Sequence, residues 1–79
     1  MLQISEIKEI LITIISNVFN IPKEIIVDDF DIFLIDLNIL EFANLIKEIE
    51  ITFSIKVEEF KVPFNNFSEL VNYINFLVN

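Results

Sequence analysis

Asn38-Ile39-Leu40-Glu41-Phe42-Ala43-Asn44-Leu45-Ile46-Lys47-Glu48-Ile49-Glu50-Ile51-Thr52-Phe53 is the stretch whose reading decides the fold. Phe42, Leu45, Ile46, Ile49 and Phe53 recur at steps of three and four, the spacing that gathers side chains on one side of an α-helix. Glu41, Asn44, Lys47, Glu48 and Thr52 take the remainder of the wheel. Asn38 stands where an N-cap is needed, and Glu41 three residues later completes a capping box. Two apolar residues break the pattern: Leu40 and Ile51 fall nearly opposite the core stripe.

Outward from this segment, the same period recurs on both sides. Residues Leu2 to Phe19 read as a helix, with Ile4, Ile7, Leu11, Ile14, Ile15 and Val18 on one face and Ser5, Glu9, Thr13, Ser16 and Asn17 on the other. Ile10, Ile12 and Phe19 widen its apolar stripe, as expected of a helix with more than one neighbour. Asn20-Ile21-Pro22 ends it, because Pro22 cannot donate to a helix and biases Ile21 towards an extended conformation. A long connection over 20–38 follows, in which Lys23-Glu24-Ile25-Ile26 suggests a helical turn and Phe30, Phe33, Leu34 and Ile35 could pack the loop on itself. Beyond the second helix, Ser54-Ile55-Lys56-Val57 reads as an extended break and Glu58-Glu59-Phe60-Lys61 as one turn ended by Pro63. Asn66 caps the last helix, with Glu69 at the capping-box position and Phe67, Leu70, Val71, Ile74 and Leu77 on its apolar face. No repeat and no linker divides the chain, so residues 1–79 form one domain: an all-α bundle of three main helices plus one short helix, with a long loop between the first and second.

Composition narrows the function. A chain of 79 residues buries only about 60–65% of the surface its unfolded form exposes. The 54% of hydrophobic residues, nine of them Phe, offset that handicap. Five lysines, no arginine and 13 acids give a net charge of −8, which repels phosphate backbones and anionic lipid. Neither nucleic acid nor a membrane is therefore an expected partner, whereas a basic protein surface is attracted. The longest apolar run, Ile32-Phe33-Leu34-Ile35, is far short of the ~20 residues a spanning helix needs. No basic segment followed by an apolar run opens the chain, and there is no cysteine; both suit the cytoplasm. There is no glycine either, so every helix must end without the usual left-handed glycine cap. The mean hydropathy of +0.66 is high for this charge, pointing to exposed apolar residues that mark a partner surface or a compositional bias.

The order and spacing of these segments resemble acyl carrier proteins, including their D-alanyl and peptidyl carrier branches, over nearly the whole chain. Carriers typically open the second helix with Asp-Ser-Leu and close it with Glu-Glu-Phe-Gly-Ile; the matching stretches are Asn38-Ile39-Leu40-Glu41-Phe42 and Thr52-Phe53-Ser54-Ile55. Phe19-Asn20-Ile21-Pro22-Lys23-Glu24-Ile25 is similar to the carriers' turn into the long loop, and Asn65-Asn66-Phe67 to Ile74 is similar to their last helix. The resemblance implies a partner surface on the second helix at Leu40, Glu41, Ala43, Asn44, Lys47, Glu48, Glu50 and Ile51. It gives Leu40 and Ile51 a reason to be exposed. The plainer alternative is that Leu40 closes the helix start and Ile51 tucks under the following turn.

The chain departs from the carriers where their chemistry resides. A carrier serine forms a phosphodiester with phosphopantetheine, whose thiol holds the acyl group. Ile39 stands at that serine position, flanked by Asn38 and Leu40, and no residue from 17 to 53 is serine. The four serines are Ser5, Ser16, Ser54 and Ser68. No phosphopantetheine is therefore expected at the usual position. Asn38, Asn44 and Lys47 also dilute the acidity that carriers show along this helix. Asp28, Asp29, Asp31 and Asp36 read as a solvated acidic loop rather than a metal site, since no glycine-containing calcium loop is present. With no His, Cys or Arg, the chain lacks the commonest general base, a thiol nucleophile and a bidentate anion clamp, so no enzyme activity is expected. The reading is a carrier-like interaction module that meets a protein with a basic and apolar docking patch in a lipid, polyketide or peptide assembly pathway. Two alternatives stand beside it: a genuine carrier modified at an unusual serine or altered at residue 39, and a bundle that holds an acyl chain non-covalently.

Overall fold

The computed structural model describes residues 2–32, 39–57 and 65–79, Ile39 by its backbone alone. These residues form three α-helices and no strand: α1 (Ile4–Phe19), α2 (Ile39–Phe53) and α3 (Phe67–Val78), with a 3-10 turn at Lys23–Ile25. The helical turn expected after Pro22 is thus present. The Asn38 cap and the turn over 58–61 lie outside the described residues.

Each helix buries the stripe its period dictates. Ile7, Leu11, Ile14 and Ile15 of α1, Leu45, Ile46 and Ile49 of α2, and Phe67, Leu70, Val71 and Ile74 of α3 are buried. Removing such a side chain from water contributes about 1.5–3 kcal/mol. α1 lies against both other helices, which explains its wide stripe. Phe42, Phe53, Val18 and Leu77 are only half-buried, packed against this core from its rim. Ile4 corrects the expected α1 face: it is 49% exposed, because α1 begins there rather than at Leu2 and the core covers it from one side only. Gln3 is the N-cap, extended at φ −76 and ψ 152, and its N–H donates to the Glu6 carboxylate at 2.9 Å.

Without glycine, left-handed turns fall to other residues. Asn20 after α1 and Ser54 after α2 both adopt φ 55. The turns return N–H groups to the orphan carbonyls of the preceding helix: Ile21 donates to the Ser16 carbonyl and Ile55 to the Glu50 carbonyl, both at 3.2 Å. The Ser16 hydroxyl adds a 2.6 Å bond to the Ile21 carbonyl.

The first turn of α3 is clamped by the long connection. Phe67 N–H donates to the Phe30 carbonyl at 2.9 Å and Ser68 N–H to the Asp28 carbonyl at 2.8 Å. The Asn66 side chain accepts the Glu69 N–H at 2.9 Å, as its position predicts. The Glu69 carboxylate takes the N–H of Asn65, one residue ahead of the cap, at 3.2 Å. Ile32 N–H reaches the Asn65 carbonyl at 3.3 Å, within an isolated bridge between Asp31 and Asn66. At the other end of α3, the Asn79 side-chain amide donates to the Leu2 carbonyl at 3.1 Å, tying the two chain ends together.

A left-handed residue with a Cβ carries a steric cost that glycine avoids. Ser54→Gly should therefore raise stability by about 0.5–1 kcal/mol, measured by urea denaturation at unchanged m-value. A lower midpoint would show that the Ser54 side chain contributes more than its backbone costs.

Candidate functional site

The outward side of α2 is the candidate site. Leu40 and Ile51 are eleven residues apart, close to three full turns, so both project from one side of the helix about 16 Å apart. Leu40 is 80% exposed and Ile51 63%. Ile51 is thus not tucked under the turn that follows. Beside Leu40, a shallow depression open to solvent is lined by Leu40, Glu41, Ala43, Asn44 and Lys47. Five of the eight residues expected at a partner surface therefore meet in one patch.

Of the other three, Ile51 stands further along the same side, while Glu48 and Glu50 stand elsewhere. Glu48 is exposed on the flank of α2 that faces α1, in a hollow it shares with Ile14, Asn17, Val18 and Asn44. Glu50 is part-buried, and its carboxylate accepts the Val57 N–H at 2.8 Å while its carbonyl accepts from Ile55. That carboxylate folds the outgoing chain back and seats Val57 in the core, a role its place on the wheel does not disclose. The side chain of Ile39 and all of Asn38 lie outside the described residues.

The serines are distant from the start of α2. Ser54 lies at the opposite end of the helix, about 22 Å away along its axis. Ser16 is engaged with the Ile21 carbonyl, Ser68 sits in the clamped first turn of α3, and Ser5 is exposed in the first turn of α1. No cluster of acids able to hold a metal ion occurs among the described residues. Asp28 pairs instead with Lys8 at 2.7 Å, an exposed contact that contributes little. No described helix is long and apolar enough to cross a membrane. Other exposed apolar residues escaped the periodicity, most of all Phe76 of α3 at 80%.

Comparison of the chain with family models, with curated proteins and with solved structures finds no match.

Glu50 yields a direct test of its structural role. Glu50→Ala should cost about 1.5–3 kcal/mol by leaving the Val57 N–H without its charged acceptor, whereas Glu50→Gln keeps an acceptor and should cost less. Equal losses in chemical denaturation would assign the effect to packing.

Proposed function

We propose that the protein is a carrier-like interaction module without a phosphopantetheine arm, docking through the outward side of α2 onto a basic and apolar patch of a partner protein. One observation carries the reading: two large apolar side chains, Leu40 and Ile51, stand on the solvent side of a helix whose core face is otherwise well formed. A helix that exposes such residues in line, with a depression beside Leu40, has the pattern of a surface awaiting a partner. The chain's net charge of −8 favours a basic one. The resemblance to acyl carriers supplies the biochemical setting, lipid, polyketide or peptide assembly. Ile39 at the serine position supports docking without the arm.

The arm is tested by intact mass after incubation with a broad-specificity phosphopantetheinyl transferase and coenzyme A, beside a standard carrier. No mass gain is expected; addition of one phosphopantetheine would replace this reading with that of a true carrier. The docking side is tested with a stoichiometric partner isolated by cross-linking. Leu40→Asp and Ile51→Asp should each weaken that complex about tenfold or more, ~1.4 kcal/mol, with the helical circular-dichroism signal intact. Leu40→Asp suits the fold because an acid near a helix N-terminus is favourable. Unchanged affinity in both variants would remove this side of α2 from the interface.

A further inference from the structure

A second surface lies along the seam between α1 and α2. One stretch is lined by Glu9, Ile10, Thr13, Ile14 and Thr52, and the next by Ile14, Asn17, Val18, Asn44 and Glu48. Ile14 belongs to both, so the stretches are continuous. Later residues of α1 meet earlier residues of α2, so the two helices run antiparallel and the groove follows their axes. Its floor is Ile10, Ile14 and Val18, which on α1 cover about 12 Å, slightly more than two helical turns. Glu9 stands at one end, beside Ile10, and Glu48 midway along the α2 wall, between Asn44 and Thr52. No lysine is among these lining residues; Lys8 is paired with Asp28, and Lys47 lines the outward depression instead.

We propose that this seam is a docking groove for a basic amphipathic helix of a partner protein, held by an apolar floor flanked by two glutamates, Glu9 on α1 and Glu48 on α2. The inference goes beyond the function proposed above, because neither Leu40 nor Ile51 lines the seam. Charge chooses the occupant. A second copy of this chain, net −8, would bring further acids against Glu9 and Glu48. An acyl chain would satisfy the floor but leave the acids unused and, in an open groove, much of its own surface in water. A helix of two to three turns, apolar at i, i+4 and i+7 with Lys or Arg on either side, matches the floor and its flanking glutamates together.

The test uses a synthetic peptide of about 16 residues, ~24 Å as a helix, with leucines at those spacings and lysines flanking them. A scrambled peptide of equal composition is the control for charge alone. Amide chemical shifts of the full chain map the contact, and fluorescence anisotropy gives the affinity. The expected result is saturable binding, with shifts at Thr13, Asn17, Asn44, Glu48 and Thr52. Glu9→Lys with Glu48→Lys should weaken it about tenfold, with helical content unchanged, while Leu40→Asp leaves it intact. Thr13→Arg, at an exposed position on α1 alone, should also weaken it. No binding, equal binding of the scrambled peptide, or shifts confined to the Leu40–Ile51 side would each overturn the proposal.

Discussion

The clamp between residues 28–32 and the first turn of α3 is the constraint on which the rest of the structure depends. The described core is wholly apolar: no buried polar or charged residue lies within it, and no buried side-chain nitrogen or oxygen lacks a partner. Such a core rewards burial without dictating register, since Leu and Ile can exchange neighbours at modest cost. Backbone donors at a helix N-terminus are more demanding, because each must find an acceptor. In α3, Phe67, Ser68 and Glu69 find theirs in the carbonyls of Phe30 and Asp28 and in the Asn66 side chain. These bonds set the height of α3 relative to the connection, and with it the depth at which Phe67 and Ile32 enter the core, both fully buried.

The absence of glycine shifts strain to the helix ends. Asn20 and Ser54 hold the left-handed conformation, and each end acquires a further tie. After α1 the tie is the Ser16 hydroxyl; after α2 it is the Glu50 carboxylate on Val57. The compensating bonds come from the helix being closed, so each end is a local unit that needs no tertiary partner. That is how a chain of this size can close two helices at once without the residue that usually does it.

The three helices were legible because their periodicity is strong: the stripes of Leu11, Ile49 and Ile74 are read correctly from spacing alone. The core residues contributed by connections were not. Ile26, Ile32 and Val57 are buried, yet each sits in a segment with no period to betray it. Hydrogen bonds outside any helical period hold them: Ile32 N–H to the distant Asn65 carbonyl, Val57 N–H to the Glu50 carboxylate and Ile26 N–H to the Lys23 carbonyl. Ile4 failed in the opposite sense, in phase with the core but at the end of the helix. At the candidate site, the exposure of Leu40 and Ile51 was visible on the wheel, while the groove beside them was not. A seam between two helices is a property of their packing, and single-helix periodicity contains no information about it.

α2 carries three separate demands on three flanks. Leu45, Ile46 and Ile49 face the core; Leu40, Ala43 and Lys47 face outward; Asn44, Glu48 and Thr52 border α1, with Asn44 shared by the last two. With 3.6 residues per turn, each flank takes about a third of the circumference. The outward flank holds a lysine between its apolar ends, whereas the α1 flank holds only acid and neutral polar groups. The two surfaces thus differ in field although they lie on one helix. On the outward side Glu41 offsets Lys47 beside the apolar residues, whereas the seam sets Glu9 and Glu48 against no lysine among its lining residues. Apolar contact dominates outside and charge dominates the seam, so salt weakens association at the seam first.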